Sequence, residues 1–185
     1  TGTLTSPTFV TPALGTPASG VGTNITGVAG SKIGQMIQVI KTDTTSIASS
    51  TIAAISGMTK NITCAATSSK VRIHAVCNIN ATSNGYGAIY LYKGGSVISG
   101  AQAASTASRL PSSAGGTKAT SQAELWPLVI DYIDSPSSTS ELTYAIYWNK
   151  GAETATIYLN RTVNDSDNAN HVRGVSTLTL TEILA

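Results

Sequence analysis

KVRIHAVCNI, residues 70–79, decides the fold class. Val71, Ile73, Ala75, Cys77 and Ile79 fall on one side of an extended chain, and Arg72, His74 and Asn78 fall on the other. Side chains alternate across a strand, so a strict period of two marks a strand with one face in a core and one in water. The same reading carries outward. Ser83-Asn84-Gly85 is a turn, and Asn-Gly predicts a hairpin from 70–79 into YGAIYLYK, 86–93. Lys93-Gly94-Gly95-Ser96 then predicts a tight hairpin into SVIS.

Other segments read as strands by the same criteria. QMIQVIKTD (35–43) opens the series, and Thr44 to Ser56 is a loop or weak strand. MTKNITCA (58–65) follows. LWPLVIDYID (125–134) has Pro127 at an edge or bulge, where a missing N–H is tolerated. ELTYAIYWNK (141–150) is expected back as its hairpin partner, followed by TATIYLNR (154–161) and VSTLTLTEIL (175–184). Polar stretches at 100–123 and 163–174 separate them. Roughly eight strands and no convincing helix predict an all-β fold. The expected form is an antiparallel β-sandwich of jelly-roll type over 34–185.

Residues 1–33 differ. Pro7, Pro12 and Pro17 recur every five residues among six glycines before residue 31. Such a chain forms neither a regular helix nor a central strand. Its sparse apolar residues cannot offset the entropy of ordering it alone. It is expected to be a flexible linker, or a stalk wound with identical copies of itself. The chain opens at Thr1 without a signal-peptide pattern and reads as part of something longer.

Composition narrows function. Of 185 residues only 11% are charged, against about 25% in ordinary globular domains. Hydroxyls and amides take their place. The net charge is +2 and the eleven Lys and Arg are scattered, so a nucleic-acid footprint is missing. No apolar run reaches the roughly 18 residues of a membrane span. The nucleotide, zinc and serine-nucleophile motifs do not occur. Asp165-Ser-Asp167-Asn168 resembles a piece of a calcium loop but lacks its glycine and distal glutamate. An enzyme is not expected, nor a cofactor or metal. Cys64 and Cys77 read as buried thiols, with a disulfide as the alternative.

Three strands carry apolar groups on both faces: 86–93, 125–133 and 141–148. One face can fill a core. The other needs cover from a neighbouring subunit or from loops. An oligomer is the expectation. Binding, if any, belongs to the loops. Asn84 and Tyr86, Arg109, and Asn168, Asn170 and His171 are the candidates, because aromatic rings stack on sugars and amides read hydroxyls.

TLTSPTFVTPALGTPASGV, 3–21, resembles a repeat of phage tail-fibre and fibre-like proteins. The segments GQMIQVIKTDT (34–44), SGMTKNIT, TSSKVRIHAVCNI and STLTLTEIL (176–184) are similar to the head that follows it there. The resemblance implies a homotrimeric virion protein with a thin stalk and a knob, joined to other virion proteins on its N-terminal side. It implies attachment to a host-surface receptor such as a polysaccharide. Similar modules also decorate capsids, which is the alternative.

Overall fold

The computed structural model describes residues 32–82, 85–116, 121–151 and 154–185. The proline-spaced segment 1–31 and Asn84 lie outside the described residues. The described chain forms eleven strands, a single 3-10 turn at Ser99–Ala101 and no α-helix. The strands are β1 Ile33–Lys41, β2 Thr45–Ile47, β3 Ala53–Thr63, β4 Lys70–Ala81, β5 Gly87–Lys93, β6 Ser96–Val97, β7 Ala114–Gly115, β8 Trp126–Asp134, β9 Glu141–Lys150, β10 Ile157–Leu159 and β11 Ser176–Ile183.

All the pairings between these strands are antiparallel. In the first sheet β11 pairs with residues 70–76 of β4, and β10 with residues 79–81 on the same edge. β1 and β2 lie outside β11 and β10, and β8 takes the other edge of β4. The sheet is therefore four positions wide: β1/β2, β10/β11, β4, β8. In the second sheet β6 and β7 share the outer edge of β5, giving β3, β9, β5, β6/β7. The chain crosses between the sheets after β2, β3, β4, β7, β8 and β9. Two four-wide antiparallel sheets with these crossings are compatible with a jelly roll.

Alternation explains the core. Val71, Ile73, Ala75, Cys77 and Ile79 are all buried, as the period of two requires. They face Ile55, Met58 and Ile62 of β3, Ile89 and Leu91 of β5, and Tyr144, Ile146 and Trp148 of β9 in one hydrophobic cluster. Leu178, Leu180, Leu128 and Ile130 complete it. Cys64 and Cys77 are both buried free thiols. Burial pushes the Cys77 thiol up to about 12.

Two expected hairpins are absent. Segments 70–79 and 86–93 lie in different sheets, as do 125–134 and 141–150. Each connection crosses between the layers, because a hydrophobic face on each strand is served equally by a partner beside it or opposite it. The β5–β6 hairpin does form: Tyr92 pairs with Val97 and Lys93 with Ser96. Gly94 (φ +56°) and Gly95 (φ +80°) make its turn, both in the left-handed region that glycine tolerates best.

Cover for the second face differs between strands. On β5 and β9 the outward Ala88, Tyr90 and Ala145 are buried within the single chain. Tyr90 donates its hydroxyl hydrogen to Asn149 Oδ1 at 3.0 Å, and Tyr92 stacks on Tyr147 at 3.7 Å. On β8 the outward Val129 and Ile133 stay about half exposed.

The registers define two ends. At one, Ile33 faces Ile183, which faces Lys70, and Val71 faces Asp134. At the other, Ile79 faces Trp126, Ala81 faces Ile157 and Gly87 faces Lys150. A Cβ at Gly87 would lie 2.8 Å from Ile79 Cδ1, which puts these ends of the two sheets together.

Candidate functional site

The end formed by Gly87, Lys150 and Ala81 carries a cleft of about 430 Å³. Tyr86, Gly87, Ala88, Leu110, Ser112, Gly115, Gly116 and Gly151 line it. β5 places Tyr86 just before its first residue. β7 pairs with Ala88 and Ile89 and so holds Gly115 beside them. Gly151 N–H donates to Tyr86 O at 2.8 Å, and Gly116 N–H to Gly87 O at 3.0 Å. A Cβ at Gly115 would stand 3.0 Å from Gly87 O, so only glycine keeps the floor this flat.

A second cleft of about 260 Å³ adjoins it, lined by Ser50, Ser108, Leu110, Asn149, Lys150 and Gly151. Leu110 and Gly151 belong to both. Leu110 thus sits between two halves of one groove. Ala103 N–H donates to Ser112 O at 3.1 Å and closes the base of the segment that carries it. Tyr86 is 42% exposed and Leu110 48%, an uncommon pair of open apolar surfaces beside bare backbone. A ring face, an aliphatic wall, glycine amides and serine hydroxyls are what a pyranose needs: stacking for its C–H face and hydrogen bonds for its edge. Lys150 is the charged residue in the lining.

Arg109 is exposed, next to Leu110, and its N–H donates to Thr106 O at 3.2 Å. Tyr86 lines the groove; Arg109 lies in the chain between its lining residues Ser108 and Leu110 but is not itself among them. Asn168, Asn170 and His171 do not join them. They belong to the β10–β11 connection, which is tied to the first sheet: Asn160 N–H donates to Asn78 O and Gly174 N–H to Asn160 O. Within it Asn168 Oδ1 accepts from Asn170 N–H at 2.9 Å, and Asn168 O accepts from His171 N–H at 2.9 Å. His171 Nδ1 lies 3.1 Å from Ser166 Oγ and 3.2 Å from Ser166 O, which holds the ring against this turn.

Asp165, read in the sequence as part of a calcium-loop fragment, is occupied by arginines. Arg173 clamps it through Nε at 2.9 Å and Nη2 at 2.7 Å, and Arg161 Nη1 adds a bond at 3.0 Å. Burial alone would raise this carboxyl; the two guanidiniums outweigh burial and hold it below the ordinary aspartate value. Among the described residues no three His, Cys, Asp or Glu side chains are grouped to hold a metal ion. Arg161 also lies 4.2 Å above the Tyr158 ring. Together these contacts stiffen the connection that displays the two asparagines and the histidine.

No protein-family model matches the chain, and no curated protein matches it significantly.

Leu110, Ser112, Gly115, Gly116 and Gly151 were not legible as site residues. Their convergence depends on β7 pairing with β5 and on the contact of Gly151 with Tyr86, which no local pattern encodes.

Proposed function

We propose that this chain is the C-terminal region of a phage tail-fibre-type virion protein, a non-enzymatic homotrimer that attaches the particle to a host-surface glycan. The polarity of the described sandwich carries this reading. Lys32, the first described residue, accepts a hydrogen bond from Leu184 N–H at 2.7 Å, at the Ile33–Ile183 end. The groove at Tyr86 and Leu110 and the Asn168–His171 loop lie at the other end. A head that continues from a stalk at one end and binds at its far end needs this arrangement. The proline-spaced repeat at 3–21 and its resemblance to fibre stalks add to it, as does a surface of hydroxyls and amides with only 11% charged residues. The groove is the receptor site in this reading. Tyr86 stacks on a sugar ring and Leu110 walls it, with Arg109 at the rim and the stiffened Asn168–His171 loop as a separate contact.

The test is binding of the full chain to an array of bacterial surface polysaccharides. Binding by the unaltered chain, weakened about tenfold by Tyr86→Ala and retained by Tyr86→Phe, is the expected result. Equal binding by the alanine variant, or no binding to any polysaccharide, overturns the glycan-receptor assignment.

A further inference from the structure

We propose that a shallow pocket on the outer face of the first sheet, at Arg161 and Tyr158, is a second glycan subsite, built for a carboxylated sugar such as a hexuronic acid. It rests on the glycan-attachment reading and adds a site separate from the Tyr86 groove. Ile157 and Leu159 are buried in the core, so Tyr158 between them points outward, and Ser46 stands opposite it in the β2–β10 register. Thr44, Thr45, Ser46, Tyr158 and Arg161 line a pocket of about 310 Å³. Pockets for small ligands begin near about 300 Å³, so this one has room for a single sugar residue. It shares no lining residue with the groove. Among the described residues, the hydroxyls of Thr44, Thr45, Ser46 and Tyr158 make no hydrogen bond, so each is available to a ligand.

Charge selects the class of sugar. Arg173 alone satisfies Asp165 with two bonds, at 2.9 and 2.7 Å, so Arg161 brings a second cation to one carboxylate. Asp43, which precedes Thr44, is held by Lys41 Nζ at 2.6 Å. Asp167 is exposed and lies outside the lining, and no carboxylate is among the lining residues. A guanidinium with charge to spare therefore stands at a pocket of neutral hydroxyls. It is also set in place: Nη1 donates to Asp165 at 3.0 Å, Nη2 to Val163 O at 3.4 Å, and the Tyr158 ring lies against it at 4.2 Å. Those bonds leave most of its five N–H groups unused. Nε is buried with no hydrogen-bond partner among the described residues, which costs free energy until an acceptor arrives. Asn160 fixes the opposite wall, since its bonds to Lys41 O and Asp43 O hold the chain that enters β2. A planar carboxylate matches such a fork, and the sugar hydroxyls beside it meet Thr44, Thr45 and Ser46. A neutral hexose forgoes the charge-assisted bonds.

The test is saturation-transfer difference NMR on the full chain, with sodium glucuronate as the probe, glucose as the neutral control and inorganic phosphate as a competitor. Glucuronate should receive saturation from the unaltered protein and equally from Tyr86→Ala, which takes the ring out of the groove. Arg161→Gln removes the charge. Ser46→Asp puts a negative charge at the exposed mouth and leaves the Arg161 bonds to Asp165 and Val163 in place, so it tests the site even if Arg161→Gln disturbs its loop. Each variant should weaken glucuronate binding about tenfold, with the far-ultraviolet circular dichroism unchanged. Glucose should bind the Tyr86→Ala chain about tenfold more weakly than glucuronate does. The assignment is overturned if glucuronate receives no saturation, if glucose matches it on Tyr86→Ala, if Ser46→Asp leaves its affinity unmoved, or if phosphate at equal concentration displaces it. Failure of the receptor reading shows separately: glucuronate binding by a chain that captures no polysaccharide keeps this carboxylate site and removes the attachment role.

Discussion

Gln35 donates from Nε2 to Glu182 Oε2 at 2.8 Å, joining the first long strand to the last. The same amide donates to Thr63 O at 2.7 Å, and Ala65 N–H donates to Glu182 Oε1 at 2.6 Å. Glu182 is buried, and among the described residues no salt bridge from a cation neutralises it. Neutral donors hold its charge instead. The Gln35 bond is the main influence, and with the Ala65 N–H it outweighs desolvation, so the carboxyl stays below the ordinary glutamate value. Gly34 belongs to the same clasp: a Cβ there would fall 2.8 Å from Glu182 Oε2.

Removing the carboxylate takes away the acceptor of two part-buried, charge-assisted hydrogen bonds. Glu182→Ala is expected to cost about 3 kcal/mol in denaturant unfolding. Because the folded pKa lies below the unfolded one, the stabilisation is whole above the unfolded carboxyl's titration near about pH 4.3, and it is lost as pH falls below that. Unfolding midpoints across this range should drop in the parent and drop less in Glu182→Gln. Parallel curves would refute the role given to this carboxylate.

A second polar link joins the sheets at the same end. Asp134 Oδ2 accepts from Tyr144 OH at 2.6 Å and from Lys93 Nζ at 2.7 Å. Burial, then the bond to Asp134, raises the Tyr144 pKa. Neutral Tyr144 is favoured in the fold, so its contribution is present below the unfolded tyrosine value of about 10 and lost above it. A near-ultraviolet alkaline titration should leave this ring un-ionised when exposed tyrosines have titrated. Tyr144→Phe should remove that late step and cost about 1.5 kcal/mol.

Asn160 ties three segments at the far end. Its Nδ2 donates to Lys41 O at 2.8 Å and Asp43 O at 3.0 Å, and its Oδ1 accepts from Ser176 Oγ at 2.6 Å. Its φ is +61°. Asn160→Ala loses every side-chain bond and adds left-handed strain, for an expected loss of about 3 kcal/mol. Asn160→Gly keeps the backbone at ease and should lose about 1 kcal/mol less. Equal losses would argue against the strain component.

The two thiols offer an inexpensive check on packing. Cys64 and Cys77 are both buried and unpaired. A thiol reagent should find neither in the native protein within minutes and both after guanidinium unfolding. A constant absence of free thiol would mean a disulfide instead.

Strand positions were readable because alternation is local. Val71 to Ile79 showed their buried face before any neighbour was known, and β9 spans the residues its pattern predicts. Pairing was not readable in the same way. Asp134-Ser-Pro136 turns the chain equally well into a hairpin or across to the other layer, and the structure takes the second course. The shared second face of β5 misled for a related reason: Tyr90 looked uncovered in sequence, yet its hydroxyl reaches Asn149 and the ring is buried. Of the groove's lining, Tyr86 was legible in the sequence as an aromatic ring beside a turn. The groove's glycines were not, because a flat floor is made by strands distant in sequence.

Assembly is the claim on which the fibre account stands, and the native mass of the complete 185-residue chain measures it most directly. The account predicts a particle of about three times 18.9 kDa at micromolar concentration. A stable, folded species of 18.9 kDa would contradict it.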